Sequence, residues 1–495
     1  MADLPTNPNG KLDRKAVARL PLPETDPAQA ESGNEKEEEA SMNLREGELR
    51  LLWEKVLPSA TSSTTGRIIP SSDFFLRGGN SLLLMRLQAL IRESMGVHVT
   101  TRTLYSASTL KAMAEAVFAQ RDAEIAEEVN DDVDWQREAE TPDWLKERVQ
   151  GMSKESGKSQ PAKFKGLNVV LTDADGFLGC RVLQTLLQTP AVQTVNCIAL
   201  EDEQKGNGSS HGDIHKTIEA NPSKTVNTFG GSLADPKLGL TPSEASYLRD
   251  TADIIIHAGS SGHCLNNYAA LKAPNVSATH PLAALALPRS VPLLFISSNR
   301  VPLLAGNTEQ VPCSMAKCMP AGDGREGLTA TKWVGEVFLE SLNKLVTNQT
   351  EKAWAVEVHR PCIVVGDQAP NSDSMNAILR YSLQMKCAPL VTRGRGYVDF
   401  KSVDDVATGI VESALIMAQR RTGGVSFKHH SSGVKVPVDK FREHLEQEYK
   451  GKFESVEMKD WVAKAGKAGI DPLITAYLNG VLESDEEMVF PYLGA

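Results

Sequence analysis

The sequence predicts an α/β protein, a doubly wound parallel sheet in its larger part, preceded by a small helical bundle. Three observations predict it. An apolar segment, Leu167-Asn168-Val169-Val170-Leu171, runs through a glycine-bearing turn (Thr172 to Gly179) into a helix beginning near Cys180. Strand, glycine turn and helix open a fold in which backbone amides and the helix N-terminus receive a pyrophosphate. Further strand-like segments at Thr194 to Leu200, Ala252 to His257, Pro292 to Ser297 and Ala355 to Val365 alternate with helical stretches, as a parallel sheet requires. Upstream, a Gly78-Gly79 turn delivers Ser81 to the start of an apolar-periodic helix (Leu83, Leu84, Leu87, Leu90, Ile91), with another helix from Leu44 to Leu57 before it.

At 495 residues the chain exceeds a single-core domain, and roughly 100–200 residues per domain argues for two or three units. Composition shifts place the boundaries. Residues 1–24 read as a turn and short helix; 25–42, with the run Glu31 to Glu39, as an acidic solvated linker. A helical unit occupies 43–120, a polar linker 121–164 and the sheet-containing unit 165–495. The net charge of −10 offers no basic surface for nucleic acid. No apolar run approaches the ~20 residues of a membrane span, and no charged-then-apolar signal opens the chain, so a soluble, cytoplasmic protein, monomeric by itself, is expected. Seven cysteines without metal-ligand spacing fit reduced thiols.

The run Asp73-Phe74-Phe75-Leu76-Arg77-Gly78-Gly79-Asn80-Ser81-Leu82 resembles the peptidyl-carrier (thiolation) domain of nonribosomal peptide synthetases, matching its motif except at Asn80, usually histidine. The resemblance implies that Ser81 carries 4′-phosphopantetheine, added by a phosphopantetheinyl transferase. Leu4-Pro5-Thr6-Asn7-Pro8-Asn9-Gly10-Lys11 resembles the last motif of an adenylation domain, whose lysine, here Lys11, reaches an acyl-adenylate. This implies a piece of a larger synthetase, with adenylation, condensation and polyketide synthase domains upstream as partners.

Residues 165–495 resemble the thioester reductase domains that end many synthetases, which are extended short-chain dehydrogenases with a Rossmann fold and a small C-terminal lobe. The matches include Gly231 to Leu240, Ile255-Ile256-His257, Lys332-Trp333-Val334-Gly335-Glu336, His359-Arg360-Pro361 and Gly396-Tyr397-Val398-Asp399. The departures carry more. Where the family has a pyrophosphate-approaching glycine stands Asp173, with Asp175 in the same turn; both are expected to cap the helix where the phosphate would sit. The family's arginine for a 2′-phosphate is replaced around Leu200-Glu201-Asp202-Glu203, and Ser232 replaces an aspartate near the adenine. No NADPH is therefore expected. The family's tyrosine, one helical turn before Lys332, is Leu328, which has no proton to donate.

A reductase-shaped domain stripped of hydride chemistry, following a carrier, resembles the Dieckmann cyclases of fungal polyketide–nonribosomal peptide hybrid synthetases, with the leucine similar to that of cyclopiazonic acid-type enzymes. The resemblance implies a β-ketoacyl-aminoacyl thioester released as a tetramic acid without redox. The site residues it implies are Asp399 as base, Lys332 and Ser298 as donors, and His263 as a second base candidate. Asp404 and Asp405 fit a helix N-terminus, His257 a buried strand, and His359 and Arg360 a structural strand. Two rivals remain: an NADPH-dependent thioester reductase, decided by nucleotide titration, and a non-catalytic carrier-docking domain, favoured if Asp399, Lys332 and Ser298 do not share a cavity.

Overall fold

In the computed structural model the described residues are 42–57, 68–95, 97, 99–127, 132–152, 166–200, 214–261, 266–420, 422–483 and 487–494. Lys11, the whole 1–24 segment, the acidic run, Glu201 to Glu203, His263 and Cys264 lie outside them. The chain divides into two compact units, 1–129 and 130–495.

The first unit contains α1 (Leu44–Val56), α2 (Ser81–Met95), α3 (Thr101–Ser106) and α4 (Leu110–Glu127). Asn43 starts α1 with a capping box, its side chain accepting from the Glu46 amide while Glu46 reaches back, which satisfies two orphan helix donors at once. The periodicity read from α2 is its buried stripe: Leu84, Leu87 and Ile91 are fully buried with Leu49, Trp53, Phe74, Leu104 and Met113. α4 runs on to Glu127, past the expected limit of 120.

The second unit holds a seven-stranded parallel sheet of β1 (Leu167–Thr172), β2 (Val192–Leu200), β3 (Thr225–Gly230), β4 (Ile254–His257), β5 (Leu293–Ile296), β6 (Ala355–Pro361) and β11 (Gly424–His430). Their spatial order is β11-β6-β5-β4-β1-β2-β3, which reverses direction between β1 and β4, the crevice where such sheets bind ligands. Side chains alternate across the sheet. Val169, Leu171, Ile254 and Ile256 pack on one face with α7 (Phe177–Gln188) and α10 (Val403–Arg420). Val170, Ile255, Leu293 and Phe295 pack on the other with Phe338 and Leu342 of α8 (Gly327–Thr350).

Two further boundaries differ from the sequence reading. The segment Ala355 to Val365 is two strands: β6 stays in the main sheet, while β7 (Ile363–Val365) pairs with β10 (Phe400–Ser402). The division falls at Cys362, whose amide donates to the His430 carbonyl at the end of β11. The expected linker 121–164 is in part folded. Residues Trp135–Glu138 (α5) and Asp143–Gln150 (α6) are helical, and Trp135 is buried against Tyr268 and Trp333, with ring centroids 4.9 and 6.2 Å away. Leu145 and Val149 enter the main core. A few large apolar side chains suffice to pull an otherwise charged stretch onto a domain.

A smaller lobe includes α9 (Ser374–Met385), β8 (Cys387–Leu390) and β9 (Gly394–Val398) and buries Phe441, Leu445, Trp461 and Ile474. Cys180, Cys197, Cys313, Cys318, Cys362 and Cys387 are free thiols. Among the described residues there is no metal-binding cluster, and no helix is long and apolar enough to cross a membrane.

Candidate carrier serine and release site

Ser81 is the first residue of α2, and Asn80 supplies the cap: its Oδ1 accepts from the Leu83 amide at 3.0 Å and its carbonyl from the Leu84 amide. The asparagine that departs from the carrier motif is thus a competent N-cap. Asp73 braces the loop. Its Oδ1 accepts from the Phe75 and Leu76 amides and its Oδ2 from the Ser108 hydroxyl at 2.6 Å. Burial alone would raise its pKa, but these donors hold it below the usual carboxylate range. Gly78 takes φ +90°, and a Cβ on Gly79 would collide with the Phe74 ring. Both glycines of the turn are therefore required by geometry.

In the second unit, Lys332 is buried on α8, donates to the Ile296 carbonyl at 2.8 Å, and stands 5.1 Å from the centroid of the Phe295 ring. Burial pulls its amine down to about 8, opposed by the charges of Asp173 and Glu336. Glu336, one turn on, pairs with buried Arg360 at 2.6 Å and accepts from the Ser297 hydroxyl. Ser297, the neighbour of the expected donor Ser298, thereby joins a buried network. Ser298 is half-buried and its hydroxyl accepts from the Arg300 amide.

Asp173 does not cap α7, as the sequence suggested; Gly176 is the N-cap and no side chain caps that helix. Asp173 has φ +62°, and its carboxylate lies so close over Gly176 that a Cβ there would strike it. Gly179 keeps its own tight packing against the Asp173 carbonyl. Burial pushes the Asp173 carboxyl up to about 8, with Asp175 adding to the rise and Lys332 opposing it. His257, between them on β4, bonds Thr172 and Thr279 and is held neutral, its pKa drawn down to about 3 by burial and then by Lys332.

Asp399 lies between β9 and β10 and is 1% exposed. The Ser432 amide and hydroxyl both donate to its Oδ1, at 2.9 and 2.6 Å. Among the described residues its Oδ2 has no hydrogen-bond partner. The neighbouring Cys362 thiol is directed at the Ile363 carbonyl, 3.9 Å away; burial and then the Asp399 charge raise its pKa. Among the described residues no hydrogen bond or ion pair joins Asp399 to Lys332 or Ser298: the carboxylate belongs to the ends of β6 and β11, the lysine to the end of β5. Asp404 and Asp405 are exposed in the first turn of α10, where Asp404 pairs with Arg181 and Asp405 with Ser402. His359 is a buried strand residue, bonded to His430 and Glu357 at 2.6 Å each. Next to the start of α8, a cleft of about 240 Å³ is lined by Arg300, Arg325, Glu326, Thr329 and Arg395.

Ser432 escaped the sequence reading. It sits 33 residues from Asp399, in a Ser-Ser-Gly turn that could serve any loop.

A helical unit with a serine at the start of a capped helix, and a Rossmann-type unit with a buried lysine at the carboxyl edge of its sheet, define a carrier protein joined to a short-chain-dehydrogenase-like domain. Residues 48–117 match the family described as phosphopantetheine attachment site, and 171–410 match an NAD-binding family described as male sterility protein. The hybrid PKS-NRPS synthetase iccA of Talaromyces variabilis is 49% identical over 498 residues, covering 99% of this chain and 12% of that protein. Tenellin synthetase of Beauveria bassiana (strain ARSEF 2860) is 46% identical over 540 residues, covering 100% and 13%. The chain thus spans about an eighth of the length of these relatives. The terminal R domain of the myxalamid PKS-NRPS pathway superposes with TM-score 0.51 at 21% identity, over 70% of this chain and 89% of that one. The reductase domain of a nonribosomal peptide synthetase from Mycobacterium tuberculosis gives 0.52 at 18%, over 70% and 85%. The chain belongs to the hybrid PKS-NRPS synthetases of fungi, as their carrier plus reductase-like region.

Proposed function

We propose that this chain carries a β-ketoacyl-aminoacyl group as a phosphopantetheine thioester on Ser81 and releases it by non-redox Dieckmann cyclisation to a tetramic acid. The single observation that carries the reading is the Asp173 carboxylate lying over Gly176. A dinucleotide pyrophosphate needs bare backbone there, and the Asp173 side chain occupies that space. Leu328 supports the same conclusion, since hydride transfer to a thioester-derived carbonyl needs a proton donor. The residues do not suit a dinucleotide.

Phosphopantetheine suits the first unit, where Ser81 is the first residue of the capped α2, the position a phosphopantetheinyl transferase would modify. The arm supplies a thioester and reach. In the cyclisation, the methylene between ketone and amide loses a proton to a base, the enolate carbon attacks the thioester carbonyl, and the carrier sulfur leaves with the C–S electron pair. Asp399 is assigned as the base: Ser432 fixes Oδ1, while Oδ2, with only the weakly donating Cys362 thiol nearby, has no strong donor among the described residues, a costly arrangement for a buried carboxylate unless something is to bind there. Lys332 contributes positive charge for a developing oxyanion. Ser298 and His263 keep only auxiliary roles in this proposal. Upstream adenylation, condensation and polyketide synthase domains would supply the acyl group.

The match to an NAD-binding family favours one rival reading, reduction to an aldehyde, and the placing of Asp399 apart from Lys332 and Ser298 favours the other, a non-catalytic carrier-docking domain that would release nothing. The deciding experiment loads Ser81 with a synthetic β-ketoacyl-aminoacyl pantetheine and follows release by mass spectrometry with and without NADPH. A tetramic acid formed equally in both is expected; an aldehyde or alcohol formed only with NADPH would overturn the proposal.

A further inference from the structure

Thr172, His257 and Phe295 stand in register across β1, β4 and β5. Asp173 is one residue beyond the first and Ile296, which accepts from Lys332, one beyond the last. The two backbones are therefore about 10 Å apart, two strand spacings, at the sheet's carboxyl edge. A lysine side chain from the overlying helix reaches into that interval, and the left-handed turn at Asp173 folds its carboxyl back over Gly176 on the same edge. The phenol that this fold would place there is missing, since Leu328 stands one turn before Lys332.

We propose that Asp173 is a catalytic hydrogen-bond donor, its protonated carboxyl acting beside the Lys332 ammonium to bind the enolate oxygen and then the tetrahedral oxyanion of the cyclisation. The inference rests on the cyclase reading. A carboxyl in a desolvated site stays neutral near pH 7 and then offers an O–H, a stronger donor than water and already in place. Burial raises Asp173 to about 8, so the donor form predominates at neutral pH. The groups facing the pair are Asp175 in the same turn, His257 from β4 and Glu336 on α8. The proton taken from carbon goes to the base and from it to the departing sulfur. One C–C bond forms, one C–S bond breaks, nothing is oxidised or reduced, and Asp173 keeps its own proton.

The test compares Asp173→Gly and Asp173→Asn in the full chain, loaded with the same β-ketoacyl-aminoacyl group. Glycine is the residue best suited to φ +62°, so a lost rate cannot be put down to a lost fold; a parental melting temperature checks this. Asp173→Gly should cyclise roughly 10²- to 10³-fold more slowly, as expected for removing one oxyanion donor. Asp173→Asn, whose amide still donates, should keep most of the rate at pH 7. The sign of the pH effect follows from the active form. The O–H is present below about 8 and lost as pH rises, so the parent should decline on the alkaline side. In Asp173→Asn that decline should be shallower, because only Lys332 is left to titrate there. Asp173→Gly at the parental rate, or Asp173→Asn as slow as Asp173→Gly, overturns the donor role while the parent's tetramic acid upholds the cyclase. No tetramic acid from the parent refutes the cyclase itself.

Discussion

Two glycine-bearing turns in this chain lead into helices, and they resolve the same backbone demand in opposite ways. Before α2 the left-handed position is Gly78, at φ +90°, and Gly79 closes on Phe74. Before α7 the left-handed position is Asp173, at φ +62°, and the bare residue is Gly176, which lies beneath that aspartate's own carboxylate. A left-handed conformation costs most non-glycine residues about 1–2 kcal/mol, with aspartate among the more tolerant. The first turn leads to a serine at a helix start. The second fills the space beside its helix with a side chain. In the proposed cyclase the same fold element is thus open to a phosphate-bearing group in one unit and closed to it in the other by a single residue.

The largest effect that would sharpen this contrast is at the open turn. Ser81→Ala should gain no mass when incubated with coenzyme A and a phosphopantetheinyl transferase, with its helical circular dichroism unchanged; any loading would move the site elsewhere. Next comes the base. Asp399→Asn should slow cyclisation of the loaded carrier by about 10²- to 10⁴-fold, the usual loss for a general base, and Lys332→Ala should slow it less. If Lys332→Ala is the more damaging, or Asp399→Asn is unimpaired, Asp399 is not the base.

Smaller effects test the turn itself. Gly79→Ala forces a Cβ into the Phe74 ring and should destabilise the carrier by about 1–3 kcal/mol, read as a lowered midpoint of its unfolding transition. Asn80→Ala removes only the cap and should cost about 1 kcal/mol by the same measurement; no shift would mean that the cap is dispensable. The smallest expected effect is none at the closed turn. Leu328→Tyr with NADPH should yield no aldehyde, because replacing the proton donor does not clear Asp173 from the pyrophosphate's path.

Much of the sheet was legible because its central strands are buried on both faces and read as apolar runs, as at Leu167 to Leu171 and Ala252 to His257. The outer strands were not. β3 is Thr-Val-Asn-Thr-Phe-Gly and β11 ends in Lys-His-His, compositions that half-burial at a sheet edge permits and that resemble loops. Lys332 could be found from its place one turn after Leu328. What surrounds Asp399 could not, since its Ser432 partner comes from a distant turn. Asp173 in the glycine loop was legible as a departure but misread as a cap, because its side-chain direction depends on its φ of +62°, which sequence pattern does not fix.

The helices at 135–150 bear on how such synthetases are cut and rejoined. Glu138 bonds Tyr268 and pairs with Lys272 at 2.8 Å, Gln349 donates to the Gln150 and Met152 carbonyls, and Trp135 adjoins Trp333, the residue after Lys332. A chimera joined at residue 165, where the first strand invites a cut, would replace these side chains with foreign sequence and leave apolar slots open beside the lysine. A junction before residue 130 carries the whole strap across with its domain.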